Sequence, residues 1–162
     1  MIHPLVRIAS AIVVALAMQQ GTLAADTPSA APDKLTEARA LIKSKKWVEA
    51  IDELKRVNDT GSADWNNLMG YSLRKASTPD LAGAEKFYNE ALRIDPKHRG
   101  ALEYSGELYL QTGDLAKAEQ RLAALDKACF FRCEEYTELK SAIAQYKGEV
   151  SKDVSSTTSA GY

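Results

Sequence analysis

Three segments of this chain repeat one another at a fixed step. Trp47-Val48-Glu49-Ala50-Ile51-Asp52-Glu53-Leu54, Leu81-Ala82-Gly83-Ala84-Glu85-Lys86-Phe87-Tyr88 and Leu115-Ala116-Lys117-Ala118-Glu119-Gln120-Arg121-Leu122 follow each other at intervals of 34 residues. Trp47/Leu81/Leu115, Ala50/Ala84/Ala118 and Leu54/Tyr88/Leu122 keep the step, and Val57/Ala91/Leu125 extends it. A period of this length marks a supersecondary unit stacked on copies of itself, because one such unit cannot bury its apolar face alone. Within each segment apolar residues recur three and four apart, the spacing of an amphipathic helix. The chain is therefore expected to be all-α.

A second helix precedes each segment. In two copies it carries a glycine followed by a large apolar residue, Gly70-x-x-Leu73 and Gly106-x-x-Tyr109, with the weaker Ala38-x-x-Leu41 in the first. A glycine inside a helix costs about 1 kcal/mol against alanine. It suits a place where two backbones come close, and Ala50, Ala84 and Ala118 would supply the small facing surface. Polar connections at Lys45-Lys46, Ser77-Thr78-Pro79-Asp80 and Thr112-Gly113-Asp114 join the helices of each pair. Asp95-Pro96 stops the second pair and is expected to start the next helix, since proline suits a first helical turn.

With Ala50, Gly70, Ala84, Pro96, Gly106 and Ala118 as its defining residues, this arrangement resembles the tetratricopeptide repeat, over roughly Asp33 to Ala128. The resemblance implies a right-handed α-α superhelix, a solenoid of three helix-turn-helix units at about 33–62, 63–98 and 99–132. The first copy lacks the glycine and the proline, the second has two extra residues in its turn, and the third ends in Cys129-Phe130. A stack of helix pairs leaves its last apolar face open unless something covers it. Residues 133–147, with Tyr136, Leu139, Ile143 and Tyr146 on one face, read as a capping helix, which makes seven helices in all. Trp47, Tyr88 and Leu122 are expected in the core, Trp65 at a repeat seam, and Phe130 and Phe131 in the seam between the third repeat and the cap.

The two ends read differently. One positive charge at Arg7, an apolar run from Ile8 to Met18 and small residues at Thr22 and Ala24 have the layout of a secretory signal peptide over 1–24. The run is too short to span a bilayer, which takes roughly 20 residues. The expectation is export to the periplasm with no stable membrane span after cleavage. Residues 25–32 read as a flexible spacer. Residues 148–162, rich in Ser and Thr, read as a disordered tail, because they cannot bury enough apolar surface to offset their ordering entropy.

Little in the chain can carry catalysis. Its formal charge of -1 excludes a nucleic-acid protein, since no excess of Lys and Arg exists to neutralise phosphates. Beyond residue 24 the only histidine is His98, so no nucleophilic triad can be assembled, few side chains remain for a metal cage, and no cofactor is expected. Glu134-Glu135 fits a helix N-terminus, where carboxylates complement the macrodipole. Cys129 and Cys133 are the one local constellation with chemistry of its own. In an oxidising compartment they favour a disulfide stapling the cap to the third repeat. The alternatives are a thiol redox or Cu(I)-binding pair, as soft thiolates suit Cu(I), and two free buried thiols.

In the resembled family the first helices of each pair line a concave groove that holds peptides or helices of partner proteins. Carrying the register over puts Arg39 and Lys43 there from the first copy, Asn67, Tyr71, Arg74 and Lys75 from the second, and Glu103, Tyr104 and Glu107 from the third. The expected function is a protein-interaction module, not an enzyme, binding a protein partner as a monomer or a weakly self-associating chain.

Overall fold

The computed structural model describes residues 33–159, with side chains through residue 152. The expected signal peptide and spacer lie outside the described residues. Seven helices follow in order among those described: α1 (Thr36–Lys43), α2 (Trp47–Val57), α3 (Ala63–Lys75), α4 (Leu81–Ile94), α5 (Arg99–Gln111), α6 (Leu115–Ala128) and α7 (Glu134–Ser159). They form the all-α solenoid of three helix pairs and a cap.

Side-chain caps start four of the helices. Ser62, Asp80, His98 and Asp114 accept from the backbone N–H of Trp65, Gly83, Ala101 and Lys117, each three residues on. Each cap satisfies one of the orphan donors of a first turn. The turns inside the first and third pairs are built alike. Lys45 (φ 58°) and Gly113 (φ 81°) occupy the same register position and both adopt the left-handed conformation. Pro96 departs from expectation. It lies in the turn between α4 and α5, not in the first turn of α5, because Asp95 accepts from the Lys97 and His98 N–H groups and His98 then caps a helix that starts at Arg99.

Each helix packs against its neighbour in sequence, and the odd-numbered helices also touch one another: α1 with α3, α3 with α5, α5 with α7. The even-numbered helices make no such contacts among the described residues. A stack that is close on one side and open on the other must curve, with α1, α3, α5 and α7 on its inner face. Ala38, Ala50, Ala84 and Ala118 are fully buried where paired helices cross. One apolar cluster holds Leu35, Leu54, Trp65 and Met69; a larger one holds Tyr88, Leu102, Leu108, Leu125, Leu139 and Ile143. Leu73 packs against both clusters and joins them. Trp65 sits at a seam as expected, its Nε1 donating to the Leu54 carbonyl at 2.7 Å.

The two glycines serve different contacts. A Cβ on Gly70 would stand 2.9 Å from the Tyr88 ring and 3.1 Å from the Ala84 carbonyl oxygen, the close approach expected inside a pair. A Cβ on Gly106 would instead meet the Leu139 side chain of α7 at 2.5 Å, so this glycine admits the cap.

Several expectations need correction. Tyr88 is core, but Trp47 and Leu122 are only half-buried. Trp47 begins its helix, and its counterparts Leu81 and Leu115, which begin α4 and α6, are half-buried too. Phe130 and Phe131 do not fill the seam; they stand 94% and 80% exposed. Tyr136, Leu139 and Cys129 pack against the larger cluster in that region. Helix α7 runs past the boundary expected at Lys147 to Ser159. Its docked first half provides the nucleus, and adding turns then needs only local hydrogen bonds and no proline in the way.

Gly70→Ala is expected to destabilise the fold by about 1–3 kcal/mol, since the Tyr88 ring and a backbone carbonyl cannot both give way. Urea denaturation would show it; a gain in stability from alanine's helix propensity alone would contradict the packing described.

Candidate functional site

A row of aromatic rings runs from the start of α2 across α3 and α5 on the inner face. Trp47, at the start of α2, meets Tyr71 of α3 edge to face, with centroids 5.9 Å apart. Tyr71 meets Tyr104 of α5 at 4.5 Å with planes tilted by 42°. Tyr71 and Arg74 lie one turn apart on α3, as do Tyr104 and Glu107 on α5, so the two pairs face each other across the seam. The Arg74 guanidinium lies 5.6 Å from the Tyr71 centroid and 5.9 Å from that of Tyr104. It closes the cluster with a bond from Nη2 to Glu107 Oε2 at 2.5 Å.

Arg74 is a buried charge, its side chain only 7% exposed. Taking a guanidinium out of water is tolerable only when a paired anion and good geometry offset the loss. Glu107 and the two ring faces provide that offset. Two buried polar atoms here, Asn67 Oδ1 and Arg74 Nε, have no hydrogen-bond partner among the described residues.

Glu103 lies beside this cluster, buried, with Glu138 of α7 bonded to it. Burial comes first among the causes that push its pKa up to about 9, followed by the Glu138 hydrogen bond and the negative charge of Glu138, Glu107 and Glu135. Glu103 is therefore protonated at neutral pH and donates to Glu138, as one of two crowded carboxyls must. Burial and the Glu103 charge likewise raise the Tyr104 phenol to about 12, so it stays neutral.

A separate network runs along the edge where α3 and α5 begin. Arg39 Nη2 reaches Asp64 Oδ2 at 2.7 Å and Arg39 Nε reaches Asp33 Oδ2 at 3.5 Å. His98 Nδ1 accepts from the Ala101 N–H at 3.1 Å, so Nε2 carries the proton and donates to Asp64 Oδ1 at 2.8 Å. Partial burial works against the Asp64 charge, but the bonds from His98 and Arg39 outweigh it and lower its pKa. Asp64, Asp95, Lys97, His98, Arg99, Gly100 and Glu135 line a polar hollow of about 280 Å³ at this edge.

Of the nine groove residues expected from the register, Tyr71, Arg74, Glu103, Tyr104 and Glu107 come together. Asn67 is buried beside Gly100, its Nδ2 3.1 Å from where a Cβ on that glycine would stand. Arg39 belongs to the edge network instead. Lys43 and Lys75 are exposed at the C-terminal ends of α1 and α3. Trp47 and Glu138 join the site without having been expected there. Cys129 and Cys133 are bonded to each other, with Cα atoms 5.8 Å apart.

Paired helices stacked into a curved solenoid, with polar and aromatic side chains on the inner face, define a helical-repeat protein. Residues 79–143 match the family model of the tetratricopeptide repeat, which assigns that stretch of the chain to the repeat family. A solved structure with a similar fold is the type III secretion chaperone SycD of Yersinia enterocolitica, in complex with a peptide of the translocator YopD. The TM-score is 0.59 at 18% sequence identity, covering 74% of this chain and 91% of that chain. The search of curated proteins returned no match.

The raised pKa of Glu103 has a definite sign. Between the usual carboxylate value of 4.5 and about 9, the folded state holds a proton that the unfolded chain has lost. The group's contribution to stability is full below the lower value and declines as pH rises through the window. Glu103→Gln, which mimics the protonated form, should raise the melting temperature by about 3–6 °C at about pH 8 and leave it nearly unchanged at about pH 5. Thermal melts by circular dichroism across that range check it.

Proposed function

We propose that this chain binds a peptide or helix of a partner protein on its inner face, and that it does so outside the cytoplasm. The observation that carries the reading is the Trp47–Tyr71–Tyr104 row, three aromatic rings in contact from the start of α2 across α3 and α5. Rings offer large contact area at small conformational cost, which is what a surface that captures flexible segments needs. Two modes fit a groove of parallel helices: an amphipathic helix laid by its apolar face, or an extended segment held by polar side chains. SycD, whose fold is similar, was solved holding a peptide, which supports the peptide reading. The bonded Cys129–Cys133 pair and the signal-like layout of residues 1–24 support export, since such bonds persist in oxidising compartments.

The electrostatics narrow what the groove accepts. Arg74 is already matched by Glu107, so it orients the two tyrosines and is not a free anion receptor. Exposed Lys43 and Lys75 lie toward the first repeats, and Glu138 lies on the cap. A bound segment with an acidic group at the first-repeat end and a basic one at the cap end meets complementary charge at both.

Panning a displayed peptide library against the chain tests the reading. Selected peptides should compete with one another and lose at least about tenfold in affinity on Tyr71→Ala, one hot-spot ring's worth of binding energy. Far-UV circular dichroism should stay unchanged, because Tyr71 is only half-buried. Peptides that bind Tyr71→Ala and the parent chain equally would refute a groove at this face.

A further inference from the structure

Phe130 and Phe131 stand out among the described residues as large apolar side chains left in water, at 94% and 80% exposure. Their rings meet edge to face at 4.9 Å in the connection between α6 and α7. The Cys129–Cys133 bond closes this connection into a small ring. Such a closure limits the conformations through which the loop could fold its rings back. Both flanking helices are anchored in the core by fully buried side chains, Leu125 of α6 and Leu139 of α7. The two rings are thus held outward on a short, stiff base, at a standing cost in exposed apolar surface.

The size and shape of the feature limit what can cover it. Two aromatic side chains offer roughly 300–500 Å². A stable contact between proteins takes about 800 Å² on each side, so a second copy meeting this loop ring to ring falls well short. The rings also project instead of lining a groove, so a protein would need a pocket shaped to receive them. A bilayer interface needs neither, because it is wide, deformable and takes projecting apolar groups to the depth of the headgroup–acyl boundary. The exposed charges around the loop are balanced, Lys127 and Arg132 against Asp126 and Glu134. Attraction through this loop must therefore be apolar and not electrostatic.

We propose that the disulfide-closed Phe130–Phe131 loop is a membrane-docking finger whose two rings insert into the interfacial layer of a phospholipid bilayer. None of the aromatic-row side chains takes part, so the proposal stands independently of peptide binding in the groove.

The test uses the full chain with Phe131→Trp and vesicles of phosphatidylcholine carrying brominated acyl chains. The apolar run Ile8–Met18 could by itself hold the chain on vesicles, so the readout must be local to the loop. Relative to the parent chain, which reports Trp47 and Trp65, the new indole should shift its emission to the blue. About half of its emission should be quenched by the brominated lipid, and the quenching should survive about 0.5 M salt, where surface electrostatics are screened. Adding Phe130→Ser should cut the quenching severalfold without moving the thermal melt, since neither ring packs in the core. Absence of quenching above the parent would overturn the proposal. So would quenching that needs anionic lipid and disappears in salt, or a melt that drops with Phe130→Ser. Lipid-free dimers in light scattering that vanish in Phe130→Ser/Phe131→Ser would assign the loop to a second copy instead.

Discussion

The approach of α3 to α4 at Gly70 is the contact on which the rest of the inner face depends. With hydrogen in place of a side chain, α3 can rest on the Tyr88 ring and the Ala84 carbonyl, and Tyr88 is wholly buried as a result. That seating sets the rotation of α3 about its own axis. One residue on, Tyr71 turns to the inner face, and one turn later Arg74 follows it. A side chain at position 70 would lift α3 and misalign both with Tyr104 and Glu107. The aromatic row is thus a consequence of a packing choice made on the opposite side of the helix.

The inner face also shows how this fold carries charge out of water. Arg74 keeps its charge because a carboxylate and two ring faces surround it. Glu103 gives its charge up because it is buried, and because its neighbours Glu138 and Glu107 are negative too. The two solutions lie side by side between α3, α5 and α7. The last of these helices is therefore more than a lid. Leu139 seals the stack by filling the space left at Gly106, while Glu138 on the same turn contributes to the groove.

Much of this was legible because a repeat writes the same physical demand several times. The 34-residue step locates three helix pairs, and the alanines at the crossings are fully buried as their small size requires. The register also brought five of the nine expected groove residues into one cluster. It failed where a residue's surroundings differ from those of its counterpart one period away. Trp47 aligns with Leu81 and Leu115, all three half-buried at a helix start, but its larger ring reaches Tyr71. Arg39 sits on the correct helix, yet Asp64 and Asp33 draw it to the edge. One further step of 34 from Tyr104 falls on Glu138, the acid of α7 that bonds Glu103.

Apolar content alone misjudged the region after the third repeat. Phe130 and Phe131 belong in a core by composition, but the seam they were expected to fill is occupied by Tyr136, Leu139 and the half-buried Cys129. Volume in a packed seam is finite, and which side chains claim it is a three-dimensional question. The sequence by itself determined that this chain is a stack of helix pairs, because periodicity and small residues at crossings are local and repeated. Only the tertiary structure decided which rings touch, which carboxyl keeps its proton and which phenylalanines remain in water. Each of those outcomes depends on groups brought together from different helices, and no spacing along one helix encodes them.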